Sequence, residues 1–187
     1  MDLNTDVVIV GGGLAGSLTA LKLSLTKPEL KILLLEESPR LGGHHTWSFH
    51  ESDVPPDAMS WLQPMIVKSW GETDVRFPRY ERSILGRFHS LRSETLNSHV
   101  THHLGDQVLR NCSATRLSES HVELSNGDII SARCVFDARG INTLPSGNKN
   151  GFQKFIGRDF TLKMPHNLTK PIIMDATCPQ MDGFRFF

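Results

Sequence analysis

The sequence predicts an α/β chain in two parts, a βαβ domain on a parallel sheet and then the start of an antiparallel β domain. Three runs of residues carry that reading. Asp6-Val-Val-Ile-Val10 is apolar, β-branched and ends directly in glycines, as a strand covered on both faces does. Leu14, Leu18, Leu21 and Leu25 then recur at helical spacing until Pro28 stops them. Lys31-Ile-Leu-Leu-Leu-Glu36 supplies a second strand and closes the unit within about 30 residues, the length of a βαβ crossover. The combination is Rossmann-like.

Composition bounds what such a chain can do. At 187 residues it has room for one complete domain and the beginning of another. Twenty basic residues balance twenty acidic ones, so no broad attraction to a polyanion is expected and nucleic acid is not a partner. The longest apolar runs, Val7 to Val10 and Ile32 to Leu35, fall far short of the roughly 20 residues that span a bilayer. The first residues lack the basic and apolar stretches of a secretory signal, which points to the cytoplasm. Cys112, Cys134 and Cys178 are widely spaced and form no Cys-x-x-Cys pair, so neither a disulfide framework nor a zinc site is expected.

Residues 37–92 read as an irregular insertion broken by prolines, with a short helix around Asp57 to Leu62 and otherwise loop and short strand. Ser93 is placed to cap a helix running to Leu104, with Leu96, Val100 and Leu104 on one face and Gly105 as its stop. Strands are expected over Arg110 to Ser118, His121 to Leu124 and Asp128 to Asp137, the last two joined at Asn126-Gly127. Ile141 to Asn150 reads as a linker, and Phe152 to Leu162, Pro171 to Ala176 and Gly183 to Phe187 as antiparallel strands. The boundaries drawn are 1–148 for the first domain and 149–187 for the second. Since 37 residues cannot bury a core, the chain reads as truncated, with a genuine C-terminal edge strand as the alternative.

Gly11-Gly12-Gly13-Leu14-Ala15-Gly16 has G-x-G-x-x-G spacing. Gly11 permits the tight turn out of the strand, Gly13 lets backbone approach a pyrophosphate, and Gly16 lets the helix pack on the strand. The free N–H groups of the helix start at Gly13, Leu14 and Ala15 and the helix dipole attract the anion. Glu36 ends the second strand, where a carboxylate can accept hydrogen bonds from ribose hydroxyls. The competing reading is a glycine turn that binds nothing.

Glu36 is followed by Glu37-Ser-Pro-Arg-Leu41 and then Gly42-Gly43, which resembles the extended dinucleotide motif of the glutathione-reductase-like FAD proteins. That resemblance implies FAD and places Arg40 near its phosphates or ribityl chain. It also places Ala114 where strand backbone meets the adenine. Asp137-Ala-Arg-Gly140 fits a later strand-to-glycine element close to FAD, and Asp137 equally fits an ordinary turn.

Gly43-His44-His45-Thr46-Trp47-Ser48-Phe49-His50 is the most unusual segment. With Gly151-Phe-Gln-Lys-Phe-Ile-Gly157, Pro171-Ile-Ile-Met-Asp-Ala-Thr177 and Gly183-Phe-Arg-Phe186, it closely resembles the bacterial lycopene β-cyclases, from Asp6 to the last residue. The resemblance implies that Gly43, His44 and Thr46 border a flavin. It implies conversion of a ψ end group of lycopene, or a related acyclic carotenoid, to a β-ionone ring without net redox change. A terminal double bond is protonated, the neighbouring one attacks the cation, and a proton is lost. Such chemistry needs an acid whose proton an apolar site retains and a negative charge beside the developing cation. The family uses reduced FAD, with NADPH as electron donor.

The family's catalytic glutamate lies beyond Gly183-Phe-Arg-Phe186 and matches no residue here. Asp175 is the one candidate near the polyene, with an ordinary turn aspartate as the alternative. The 187-residue chain alone is therefore expected to be inactive. A bilayer-resident substrate implies peripheral membrane contact. Metal ligation by His44, His45 and His50, or by His99, His102 and His103 on one helix face, is not expected, because no further ligand stands at suitable spacing. Two rivals remain on the same scaffold, a flavin-dependent monooxygenase or dehydrogenase and a non-catalytic partial FAD-binding module.

Overall fold

The computed structural model describes residues 3–140, 156–181 and 185–186. The first apolar run forms β1 (Leu3–Val10), and its alternation divides the core in two. Val7 and Ile9 enter one buried cluster, while Val8 and Val10 enter another. That is why the run is apolar without interruption: successive strand side chains point to opposite faces, and both are covered. α1 (Leu14–Thr26) follows and ends at Lys27, just before Pro28. β2 (Ile32–Leu35) returns parallel to β1, pairing Val7 with Ile32 through Val10 with Leu35.

The described residues fall into two units, one within 1–69 and 89–140 and the other within 70–88 and 156 onward. In unit 1, α3 (Ser93–Leu104) packs Leu96, Val100 and Leu104 into the same cluster as Ile9, Leu21 and Leu34. The helix begins on Ser93 rather than being capped by it: Arg92 takes the capping position, and Ser93 is buried, its N–H donated to His45 O at 2.9 Å. Gly105 ends the helix at φ +56°, a conformation that suits glycine. The chain then forms β6 (Val108–Leu109), parallel to β2.

The strand expected over 110–118 is shorter, β7 (Ala114–Leu117), because 110–113 instead cross the end of the sheet, with Cys112 N–H donated to Glu36 O at 3.0 Å. β8 (His121–Leu124) and β9 (Ile129–Asp137) lie where the alternation put them, around a turn with Gly127 at φ +87°. β9 pairs parallel with β1, and the six-stranded order is β6-β2-β1-β9-β8-β7. β1 is thus interior, flanked by parallel neighbours whose carboxyl ends all point the same way.

The insertion holds more order than its prolines suggested. β3 (Thr46–His50) is followed by a 3-10 turn (Pro56–Ala58) running into a one-turn helix, α2 (Met59–Leu62). Two long strands then appear, β4 (Ile66–Phe77) and β5 (Tyr80–Arg92). They escape a periodicity reading because few of their side chains are buried and charged residues are scattered through both, and because Pro78 sits in the tight turn between them. In unit 1 the end of β5 lies beside β3, with Ser48 Oγ and Ser90 Oγ 3.4 Å apart.

Unit 2 contains the β4–β5 hairpin and β10 (Ile172–Asp175). β10 pairs parallel with β4, not antiparallel as expected, with Ile172 opposite Asp74 and Asp175 opposite Arg76. The long intervening chain permits this, since a parallel neighbour requires a crossover rather than a hairpin. Of the other expected strands, 156–162 and 185–186 are not extended in a sheet, and the linker at 141–150, residues 151–155, 183–184 and 187 lie outside the described residues. Lys170 fastens β10's approach: its Nζ donates to Asp74 Oδ1 at 2.9 Å, Ser83 Oγ at 2.8 Å and Glu72 Oε1 at 3.2 Å. Among the described residues no helix is long and apolar enough to cross a membrane.

Two outcomes follow for stability. A methyl group on Gly16 would strike Gly11 O and Ala138 Cβ, so Gly16→Ala should lower the urea midpoint, by about 1–3 kcal/mol of overpacking. An unchanged midpoint would show that helix and strand are not in such close contact. Lys170 and Ser83 hold the Asp74 carboxyl below its ordinary 3.8, so its contribution is complete above that value and is lost as pH falls through the lower folded-state value. Asp74→Asn should therefore flatten the acid limb of a stability profile taken from about pH 5 to about pH 2.

Candidate functional site

The carboxyl ends of β1 and β2 converge on the glycine turn. Gly11 leaves β1 at φ +106° with its N–H donated to Leu35 O at 2.8 Å, and a Cβ there would lie 2.7 Å from Ala138 O. Only glycine fits. Gly12 is buried, and its carbonyl accepts Ser17 Oγ at 2.9 Å and Gly42 N at 2.8 Å. Gly13 then stands at the start of α1, exposed, with nothing within 4 Å of where a Cβ would be. α1 has no capping side chain and no acid in its first turn, so its first backbone N–H groups, at Leu14 and Ala15, and the positive end of the dipole are left for an outside partner. That is a seat for an anion.

Glu36 joins the two strand ends. Its Oε2 accepts Gly12 N–H at 2.7 Å and its Oε1 accepts Ser38 N–H at 2.8 Å. Each carboxylate oxygen keeps a further lone pair, so acceptance from ribose hydroxyls stays open. The bonding to Gly12 was not foreseen from spacing, and it makes Glu36 a brace for the turn as well as an acceptor.

Gly42 and Gly43 both take positive φ, +77° and +60°, which accounts for a glycine pair here. Gly42 is buried against Trp47, Ser93 and Leu96, while Gly43 is exposed. Asn97 Oδ1 accepts Leu41 N–H at 3.0 Å. Around these residues lies a cleft of about 240 Å³ lined by Arg40, Leu41, Gly43, His44, Ser93, Glu94 and Asn97. Arg40, Gly43 and His44 thus share one wall. Thr46 is exposed at the start of β3, and His45 stacks at a tilt on Trp47, their ring centroids 5.6 Å apart. Ser93, Glu94 and Asn97 were missed from sequence. Their signal was present, since Ser93 and Asn97 are four apart and therefore share a helix face.

Beyond Glu36 the strand ends carry a second polar group. Asp137 ends β9 and is gripped by Arg139, whose Nε and Nη2 reach its two oxygens at 2.9 and 2.8 Å. Arg139 thereby holds the Asp137 carboxyl below the usual range. Arg139 Nη1 donates to Ala114 O at 3.3 Å, so Ala114 and Asp137, read separately from sequence, are linked through an arginine that reading passed over. Gly140 is exposed beyond them.

Asp175 belongs to unit 2. It accepts hydrogen bonds from the Thr177 hydroxyl and, at 3.0 Å, from Thr177 N–H. These bonds lower its pKa, the direction opposite to that of an acid holding a proton for transfer. Buried His89 in unit 1 also went unnoticed in sequence: Nδ1 lies 2.8 Å from Ser69 Oγ and Nε2 3.0 Å from Glu51 Oε2, with the Phe49 ring 5.3 Å away. Among the described residues no three His, Cys, Asp or Glu side chains gather as a metal site would require.

The brace has a measurable consequence. Glu36→Gln retains one amide oxygen where two carboxylate oxygens each took a backbone N–H, so ligand-free stability should fall by about 1.5–3 kcal/mol, read from urea unfolding.

Comparison with known proteins bears on what this site serves. The family described as "Lycopene cyclase protein" matches residues 6–187. The chain is 40% identical to lycopene beta-cyclase of Pseudescherichia vulneris over 97% of its own length and 47% of that protein. It is 37% identical to lycopene beta-cyclase of Pantoea ananas, over all of its own length and 48% of that protein. It thus spans about half the length of the curated relatives it matches. Among solved structures it is similar to PqsL of Pseudomonas aeruginosa, a probable FAD-dependent monooxygenase, with TM-score 0.58 and 17% identity over 74% of this chain and 43% of that one. It is also similar to p-nitrophenol 4-monooxygenase of Pseudomonas putida, with TM-score 0.56 and 18% identity over 76% of this chain and 42% of that one. The likeness to the monooxygenases establishes the fold, Rossmann-like with a parallel sheet, and no more. The match across residues 6–187 establishes the family: this chain belongs to the lycopene cyclases.

Proposed function

We propose that the chain forms the FAD-binding part of a lycopene β-cyclase, an enzyme of carotenoid biosynthesis that closes ψ end groups of lycopene into β-ionone rings. The observation that carries the reading is the open helix start at Gly13, next to Gly12 whose N–H is held by Glu36, together with the cleft lined by Arg40 and Gly43. Its donor set fits a dinucleotide: helix N–H groups and a guanidinium for phosphate, a carboxylate for ribose hydroxyls, and a polar cleft for a polyol chain. Gly11, Gly13, Leu14, Ala15 and Gly16 would hold the pyrophosphate. Glu36 would hold the ribose, with Arg40, Gly43, His44 and Thr46 toward the flavin and Ala114, Asp137 and Gly140 toward the adenosine. The similar monooxygenase described as FAD-dependent supports FAD as the dinucleotide.

When bound and reduced, with NADPH as electron donor, FAD supplies negative charge that stabilises a cation in the substrate. The protein's own part is then to hold the phosphates, exclude water and keep the polyene against the flavin. Asp175 is not assigned the acid's role, since Thr177 favours its ionised form. A lipid-dissolved substrate calls for peripheral membrane contact.

The monooxygenase alternative differs in what it consumes. Anaerobic incubation of the whole enzyme of which this chain is proposed to form part, rather than of the 187-residue chain alone, with lycopene and reduced FAD should yield a cyclised product of unchanged mass, read by chromatography and mass spectrometry. Product that forms only with oxygen uptake would overturn the cyclase reading. At the seat itself, Gly13→Ala should leave ligand-free stability within about 1 kcal/mol, because its methyl meets nothing. The same methyl should weaken FAD binding about tenfold or more in a flavin-fluorescence titration, since it occupies the space the pyrophosphate needs.

A further inference from the structure

At the carboxyl edge of unit 1, Glu36 and Glu37 follow β2 and Asp137 ends β9. Phosphate would be repelled by such an edge unless cations answered it. Arg139 answers two of the three carboxylates, with its fork closed on Asp137 and Glu37 adding attraction from a greater distance. One hydrogen of Nη1 is donated to Ala114 O at 3.3 Å. Three of the five guanidinium N–H groups are thus directed at acceptors on two different segments, which fixes the plane of the group and the direction of its two faces.

A planar cation fixed in its plane by several in-plane bonds presents a pre-oriented face, which a flat π system suits best. Arg139 remains 37% exposed and Asp137 52%, so ligand can reach that face. The segment that leads into Ala114 hangs from Glu36 through the Cys112 N–H to Glu36 O bond at 3.0 Å. One short stretch of backbone thus ties the expected ribose acceptor to the guanidinium.

Building on the FAD reading, we propose that Arg139 is the adenine platform of this site: its guanidinium face stacks on the purine, while Asp137 and Ala114 hold it in plane. The dinucleotide is then gripped by charge at the glycine turn and by stacking at its adenosine end. FMN, which lacks the adenosine, gains nothing from the second grip.

The test is a titration of the whole 187-residue chain and its variants with FAD, ADP and FMN, by calorimetry and flavin fluorescence. Arg139→Ala should weaken FAD and ADP by the same factor, about tenfold, and leave FMN unchanged. Arg139→Lys, which keeps the charge and loses the plane, should weaken FAD and ADP as much. Full affinity in Arg139→Lys would overturn the platform, as would an equal loss of all three ligands or no loss in Arg139→Ala. If Arg139→Ala does not fold, Arg139→Lys and Asp137→Asn carry the comparison, and unchanged FAD and ADP affinity in both overturns the proposal. A wild-type chain that binds neither FAD nor ADP removes the FAD reading itself. One that binds both, with Arg139 variants unaffected, removes only the platform.

Discussion

The bond from Gly12 N–H to the Glu36 carboxylate is the constraint on which the rest of the site depends. It joins the end of β1 to the end of β2 just past their last backbone bond, Gly11 N–H to Leu35 O. With Ser38 N–H on the other oxygen, it sets where the chain goes next, toward Gly42. Gly42 N–H then returns to Gly12 O, so the glycine turn, Glu36 and the glycine pair close one loop of hydrogen bonds. A charge-assisted bond of this kind is worth about 1.5–3 kcal/mol, enough to hold an exposed turn in a single conformation before any ligand arrives. The seat over Gly13 is thereby shaped in advance, and binding does not have to meet the ordering cost.

How much of this was legible in the sequence follows from the range of each interaction. β1, α1 and β2 announce themselves because their apolar residues repeat within a few positions and both sheet faces are buried. Gly16 and Gly11 are legible for the same reason, since a close helix–strand contact five residues apart demands small residues. α3 was placed correctly, yet the residues it lends to the cleft were not, because Ser93 and Asn97 act on Gly42 and Leu41, more than fifty positions earlier in the chain. Nothing local in the sequence distinguishes a polar helix face that meets solvent from one that meets a loop.

The β4–β5 hairpin shows the opposite failure. Its residues alternate, but over most of their length neither face is buried, and Ser83, Arg82 and Glu81 look like loop when no core demands them. Lys170, brought in from far along the chain, supplies part of what holds it, through Asp74 and Glu72. Periodicity reports burial and not pairing, so a strand held by ladder bonds and ion pairs stays silent. Asp175 is silent in another way: its place in the specific Met-Asp-Ala-Thr segment suggested chemistry, while Thr177 two residues on favours its ionised form.

The same scaffold carries monooxygenases and this family of cyclases, and the reason lies in what the Rossmann-like half does not specify. On the proposed FAD reading, the glycine turn, Glu36 and the helix start would hold phosphate and ribose, groups that are identical whatever the flavin is later used for. Selection between oxygen chemistry and charge stabilisation has to act on residues that meet the ring and the substrate. In this chain the segment from His44 to His50 is one part of the described site that is not glycine-turn machinery. It contains β3 and the two residues before it, its Trp47 packs near Gly42, and its His45 carbonyl takes the first N–H of α3. At the head of that segment His44, with Gly43 before it, lines the cleft beside Arg40. On the proposed reading, a change in flavin use would arise there without disturbing the bonds of the glycine turn, and one fold would serve an oxidation in one family and an isomerisation in another.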